Sequence, residues 1–309
     1  MSYREEQYFS KSQERFTELG IEFSAHEGVD YTDYSNKELM KLWRDTLKKG
    51  MHGLCFSMYE DGQGPGDVIT EEQVERRIKI IKPYAKWVRS FSCIEGNEHI
   101  PRIAHKHGMK NMVGAWLSDD LEKNEEEIIS LIQLGKEGCV DIAAVGNEVL
   151  YRKELTLEQL LGYLKRVKEA LPNVQVGYVD AYYEFSSHPE LVEASDVILA
   201  NCYPYWEGCN IDHSLNHMQQ MFGQASHAAQ GKKVIITESG WPSKGENLKG
   251  AHSSEENAMK YFINAQAWSA KDNIELFYFS SFDESWKVGE EGVVGAYWGL
   301  WDKHENLKF

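Results

Sequence analysis

Two stretches of the chain hold an acid directly after a run of residues that belong in a protein interior. In Asp141–Arg152, written DIAAVGNEVLYR, the run Ile142-Ala143-Ala144-Val145 breaks at Gly146, and Asn147 and Glu148 follow at once. Such a run fills a strand buried on both faces. In Val234–Ser243, written VIITESGWPS, Glu238 stands just past a second apolar run. The carboxyl ends of buried strands are where parallel α/β folds bind ligands and keep catalytic side chains. A pair of carboxylates does acid–base work when one is held protonated and the other ionised. Cleavage of a glycosidic bond uses such a pair: one acid protonates the leaving oxygen, and the other attacks or activates water.

Bringing two strand ends face to face requires a particular arrangement of elements. Candidate strands are Gly53–Tyr59, Trp87–Phe91, Asn111–Trp116, Val140–Val145, Gln175–Val179, Val197–Cys202, Val234–Thr237 and Ile274–Phe282. Between them the apolar spacing predicts helices over Thr70–Lys82, Asn124–Glu137, Thr156–Leu171, Asp212–Gln230 and Ser254–Lys271. Thr70-Glu71-Glu72-Gln73 and Thr156-Leu157-Glu158-Gln159 read as capping boxes. Eight strands alternating with helices in about 250 residues predict an α/β fold, a single (β/α)8 TIM barrel. A doubly wound sheet is less favoured, because no G-x-G-x-x-G follows the first strand. The first fifty residues read as helical. Ser35-Asn36 would cap a helix bearing Leu39, Leu42, Trp43 and Leu47, stopped by Gly50. The division is therefore 1–50, a helical extension packing on the barrel, and 51–309, the catalytic barrel. Asp283–Phe309 reads as a loop, so the N-terminal helix is expected to cover the side of the barrel that the last strand leaves open.

Sorting polar and aromatic residues to the strand ends gives an acidic, aromatic rim. Strand one leads to Tyr59-Glu60-Asp61, strand two to Arg89 and Phe91, and strand three to Trp116. Strand four supplies Asn147 and Glu148, and strand five Asp180, Tyr182 and Tyr183. Strand six supplies Tyr203, Tyr205, Trp206 and Glu207, strand seven Glu238 and Trp241, and strand eight Asp283, Glu284, Trp286 and Lys287. Aromatic faces stack on the C–H faces of sugar rings, and carboxylates and amides bind sugar hydroxyls. Strands four and seven lie three apart around a ring of eight, which sets Glu148 and Glu238 across the mouth from each other. A structural ion pair with Arg152 or Arg89 is the plainer use of Glu148.

Composition narrows the partners. The formal net charge of −16 in 309 residues argues against nucleic acid and anionic membrane surfaces. No apolar run approaches the ~18 residues of a membrane helix, so no membrane segment is expected. The N-terminus MSYREEQYFSKSQERF lacks an apolar signal core, which predicts a cytoplasmic location unless the chain is excised from a larger membrane protein. Five scattered cysteines read as buried thiols, with Cys202 and Cys209 the one pair close enough to bridge. His99, His105 and His107, with Glu95 or Glu98, lack the i, i+4 spacing of helix metal ligands; no metal and no cofactor are expected. DGQGPG has neither the lysine of a phosphate loop nor the spacing of a calcium loop. A monomer is expected.

The strings AVGNEVLYR and ITESGWPS resemble the acid/base and nucleophile signatures of glycoside hydrolase family 17. Similarity to its bacterial branch continues through YEDGQGPG, WVRSFSCIEGNEHIPRIA, GAWL, VDAYYEF, NCYPYWEGC and FDESWK, covering Gly53 to Trp301. The resemblance implies a (β/α)8 barrel and retaining double displacement on β-1,3-glucan or laminari-oligosaccharides, with Glu148 as acid/base and Glu238 as nucleophile. It also implies that Asn147, Glu284 and Lys287 match family site residues, and that Tyr203 hydrogen-bonds the nucleophile. Tyr59, Arg89, Tyr182, Trp206, Glu207 and Trp241 complete the expected substrate-binding set. Retention requires carboxyl groups about 5–5.5 Å apart, against ~6.5–9.5 Å for inversion. Burial and the negative Glu238 are expected to raise the pKa of Glu148. Hydrolysis and transglycosylation use the same glutamates and differ in the acceptor. A sugar-binding barrel without catalysis is the competing class; the presence of both glutamates and Lys287 weighs against it.

Overall fold

The computed structural model describes residues 28–309; the part of the expected helical extension that falls on residues 1–27 lies outside them. Among the described residues, eight parallel strands close into a barrel in chain order. They are β1 (Met51–Cys55), β2 (Ala85–Arg89), β3 (Lys110–Ala115), β4 (Ile142–Asn147), β5 (Gln175–Ala181), β6 (Ile198–Asn201), β7 (Val234–Ser239) and β8 (Leu276–Tyr278). Gly53 and Leu54 pair with Phe277 and Tyr278 to complete the ring.

The helices follow the expected chemistry at their starts. α1 (Asn36–Lys48) opens on Ser35, whose hydroxyl accepts from the Glu38 amide while Glu38 reaches back to Ser35. α2 (Glu71–Ile81) is capped by Thr70 alone, because the Gln73 side chain turns away to donate to the Met58 carbonyl at 2.6 Å. It buries Val74, Ile78 and Ile81 completely against the barrel. α3 (His99–Lys106) was not among the expected helices. α4 (Leu121–Lys136) and α5 (Leu157–Ala170) follow β3 and β4, and the Thr156–Gln159 capping box at α5 is complete. Two short helices, α6 (Glu184–Ser187) and α7 (Pro189–Ala194), precede β6. α8 (Ser214–Ala228) and α9 (Glu255–Asp272) flank β7.

No long helix follows β8. Asp283–Phe309 forms short turns, the one-turn α10 (Val288–Glu291) and an irregular tail. Helix α1 lies against α9, with Trp43 wholly buried between Phe262 of α9 and Phe309 of the tail at ring distances of 5.5 and 5.2 Å. The side left bare by the missing eighth helix is therefore closed by a helix that precedes the first strand.

The strand register slips at three places, all toward the carboxyl ends: between Ala144 and Asn147, between Ala200 and Asn201, and between Ile236 and Ser239. A bulge turns the following side chain off the regular pleat, and bulges gather beside active sites for that reason. Past the third one, Gly240 lies so close to β8 that an added Cβ would stand 2.0 Å from the Phe279 carbonyl oxygen. All five cysteines are free thiols, Cys202 and Cys209 included. Among the described residues no helix is long and apolar enough to cross a membrane.

Because Trp43 is the inner face of this substitute helix, W43A should cost about 3–5 kcal/mol of stability. Chemical denaturation against the unsubstituted protein measures it.

Candidate active site

Glu148 owes its position to two left-handed residues. Gly146 has φ +82°, which glycine adopts without penalty, and Glu148 itself has φ 55°, a conformation that strains a residue with a side chain. The Glu148 amide donates to the Val179 carbonyl at 2.8 Å, which holds this turn against β5. The carboxylate consequently leaves the pleat and faces inward over the barrel mouth. Glu238 approaches from β7, 6% exposed.

Asn201, at the end of β6, joins the two acids. Its Nδ2 donates to Glu148 Oε1 at 2.9 Å and to Glu238 Oε1 at 3.1 Å. Thr237 Oγ1 donates to Asn201 Oδ1 at 2.8 Å, which fixes the amide so that its NH2 group faces the carboxylates. Both bonds start from one nitrogen, so the two oxygens are no farther apart than the bonds laid end to end. That span falls short of the ~6.5 Å at which inverting pairs begin. Sequence reasoning missed Asn201, although an amide closing an apolar strand is the same signal that marked Asn147.

Two further groups hold Glu238. Arg89 Nη1 donates to Oε1 at 2.6 Å, and Tyr203 donates its hydroxyl to Oε2 at 2.8 Å. Arg89 is buried, and its Nη2 donates to Asn147 Oδ1 at 2.7 Å. Of the two partners open to Arg89, Glu148 and Glu238, it takes Glu238, and it holds Asn147 as well. Lys287 pairs with Glu284 at 2.9 Å and lies 4.2 Å over the Phe279 ring. Arg152 turns away from the Glu148 carboxylate and pairs with Glu154.

Burial pushes the Glu148 carboxyl up to about 7, and the negative Glu238 adds to the effect. The Asn201 hydrogen bond, with Arg152 and Arg89, works in the opposite direction. Asp180, behind Glu148 on β5, is pushed up to about 8 by burial, while the Tyr178 hydroxyl that donates to it pulls the other way. One acid at the mouth therefore exchanges its proton around neutral pH beside an acid with three donors.

The expected substrate-binding residues divide into two groups. Asn147, Arg89, Tyr203, Glu284 and Lys287 surround the carboxylates or form the wall beside them. Tyr59 stands edge-on to Trp286 at 5.8 Å, and Trp206 is half-buried against Trp298 at 5.4 Å. The second group supports the rim from beneath. Trp241 is 1% exposed, enclosed by Tyr205 and Tyr261, with its indole nitrogen donating to the His252 carbonyl. It has no face to offer a sugar, contrary to expectation. Tyr182 is buried likewise and donates to Glu207 Oε1 at 3.0 Å, while His217 meets Glu207 Oε2 at 2.6 Å. Tyr182 and Glu207 thus tie the fifth and sixth rim loops to α8. Glu60 and Asp61 pair with Arg76 and Lys303, outside the cluster. His105 and His107 go to Asp141 and Glu75 in turn, on separate elements.

A closed (β/α)8 barrel with two carboxyl groups bridged across its mouth, one holding a proton and the other held by cationic and neutral donors, defines a glycoside hydrolase. The chain belongs to the BtgE/BtgC glycoside hydrolase domain family, whose profile matches residues 53–299. It is similar to the glycoside hydrolase family 17 β-1,3-glucanosyltransferase of Rhizomucor miehei, at 30% identity and a TM-score of 0.76 over 84% of this chain and 96% of that one. It is 26% identical to a glucan 1,3-beta-glucosidase of Saccharomyces cerevisiae, over 76% of this chain and 83% of that protein. It is 30% identical to the probable glucan endo-1,3-beta-glucosidase btgC of Aspergillus fumigatus, over 65% of this chain and 33% of that longer protein.

The pH dependence of kcat/KM should fall on the alkaline side with a midpoint near 7, as Glu148 loses its proton. E238Q removes the adjacent negative charge and should lower the Glu148 titration midpoint, read by NMR of labelled glutamate. N201A should lower kcat on the order of 10²-fold with a smaller change in KM, because each acid loses a donor it needs through the reaction; steady-state kinetics check it.

Proposed function

We propose that this protein cleaves β-1,3-glucosidic bonds of glucan by retaining double displacement, with Glu238 as nucleophile and Glu148 as acid/base. The observation that supports this best is the single Asn201 nitrogen donating to both carboxylates, which keeps the two bonded oxygens closer together than the ~6.5 Å at which inverting pairs begin. The relatives named above are a glucan 1,3-beta-glucosidase and a β-1,3-glucanosyltransferase, which supports the choice of substrate.

In this reading Glu238 attacks the anomeric carbon while Glu148 gives its proton to the leaving oxygen. Forming the glycosyl ester removes the Glu238 charge. One cause of the raised Glu148 pKa disappears with it, so Glu148 becomes the stronger acid and its carboxylate serves as base for the second step. Arg89 orients Glu238 and fixes the carbonyl side of Asn147, leaving the amide NH2 of Asn147 to reach a sugar hydroxyl.

Transfer to a sugar hydroxyl in place of water is the second reading. It is favoured by the half-buried Tyr203 and Trp206, which are backed by the buried Trp298 and Phe279 and leave apolar surface for an incoming sugar beside the nucleophile. Products longer than the donor, in chromatography of laminari-oligosaccharide digests, would establish transfer; only shorter ones would establish hydrolysis. E238A should abolish turnover and leave laminari-oligosaccharide binding largely intact. Persistent turnover by that variant would refute the assignment of Glu238.

A further inference from the structure

Behind Glu148 lies a buried acid that the reaction leaves unused. Tyr178 and Asp180 stand two apart on β5, so both side chains project from the same face of the strand, and both are fully buried. The charges that act on Asp180 most, Glu148 from the turn after β4 and Glu184 from α6, are both negative, and the Tyr183 phenol faces it as well. A carboxyl group in that setting costs the fold stability. Its hydrogen bonds show what it is connected to. The Ala181 amide donates to Oδ1 at 2.7 Å, and the Tyr178 hydroxyl donates to Oδ2. That hydroxyl in turn accepts from the Leu150 amide at 3.0 Å. Leu150 is two residues past Glu148, in the same turn. The Tyr178 ring lies against the start of that turn: a Cβ on Gly146 would stand 3.4 Å from its Cε2.

We propose that Asp180 is a positioning residue for the acid/base: acting through Tyr178, it fixes the Leu150 amide and so the direction in which Glu148 presents its proton. This rests on the reading of Glu148 as the general acid. A phenol hydroxyl has one proton to give. With Asp180 taking that proton, an oxygen lone pair is left for the Leu150 amide. Without Asp180 the hydroxyl is free to turn its proton toward the amide, and the bond is lost. The acceptor at one end also makes the phenol oxygen a better acceptor at the other. Strand β5 thereby grips the turn at two points, the Glu148 amide on the Val179 carbonyl at 2.8 Å and the Leu150 amide on the Tyr178 hydroxyl. The left-handed φ of 55° at Glu148 lies between these two bonds. Once either is released, that residue can relax toward an ordinary conformation and carry its carboxyl off the leaving oxygen.

The test compares kcat/KM on two donors: laminari-oligosaccharides, whose leaving alcohol needs a proton, and a 2,4-dinitrophenyl β-laminaribioside, whose leaving phenolate does not. Y178F keeps the ring and removes the hydroxyl. Y178F and D180A should each lower kcat/KM on the oligosaccharides by about tenfold and on the dinitrophenyl donor by less than about twofold. The double variant Y178F/D180A should be no worse than the more damaging single one, because the two side chains act as one unit. Equal losses on both donors would mean that the pair supports the cleft in general, and no loss on either would mean that it positions nothing. Additive losses in the double variant would mean that Asp180 does not act through Tyr178. Each of these overturns the proposal. Should D180A fail to fold, D180N keeps the size of the side chain, gives up one acceptor oxygen and takes its place in both variants. E148A is the control for the underlying reading, and it should lose far more on the oligosaccharides than on the dinitrophenyl donor. An equal loss by E148A on both would remove Glu148 as general acid; a split in E148A without one in Y178F removes the role of Asp180 alone.

Discussion

Two carboxylates brought within direct reach of each other, and shielded from water, repel strongly enough that both cannot ionise near neutral pH without help. The barrel mouth is built around that conflict. Asn201 places one donor on each acid, yet the remaining partners are distributed unequally. Glu238 also receives a guanidinium and a phenol, whereas Glu148 rests on a turn with burial as its main influence. The inequality gives two identical side chains different surroundings, as a reaction that asks one of them to give a proton and the other to attack would require.

The surrounding structure is needed to keep that inequality fixed. Thr237 sets which way round the Asn201 amide lies, and a flip would present an oxygen to two carboxylates. Extra residues near the ends of β4 and β7 turn Glu148 and Glu238 off the regular pleat toward Asn201 at the end of β6. Beneath them Trp241, Tyr182 and Tyr205 form a packed layer that joins the rim loops to α8 and α9. Buried rings packed edge-on have few rotatable bonds, which stiffens the layer beneath the acids.

The barrel and the acids were legible in the sequence for one reason: in a parallel barrel each strand is an apolar run, and a polar residue at its end stands out. Glu148 and Glu238 are such residues. Asn201 is too, but the apolar Cys202 after it made the strand appear to continue, so the amide was counted within it. Helix α3 escaped notice because it is only eight residues long with Pro101 in its first turn. Trp241 was misplaced because its burial depends on Tyr205 and Tyr261, and neither contact leaves a mark on the local pattern. Arg89 was legible as a rim residue with Glu148 or Glu238 as its partner; which of the two carboxylates a buried arginine meets is decided by strand register across the barrel.

The helix that covers the last strand has a consequence for how this chain is made. Helix α1 emerges from the ribosome before any of the barrel, yet its seat consists of α9 and the tail around Phe309, more than two hundred residues later. Throughout synthesis the nascent chain must keep the apolar face of Leu39, Trp43 and Leu47 out of premature contacts. Contacts of such sequence separation form slowly. Ring closure waits for β8, and the covering of that face waits for α9 and the tail, so both belong to the last part of the chain to emerge.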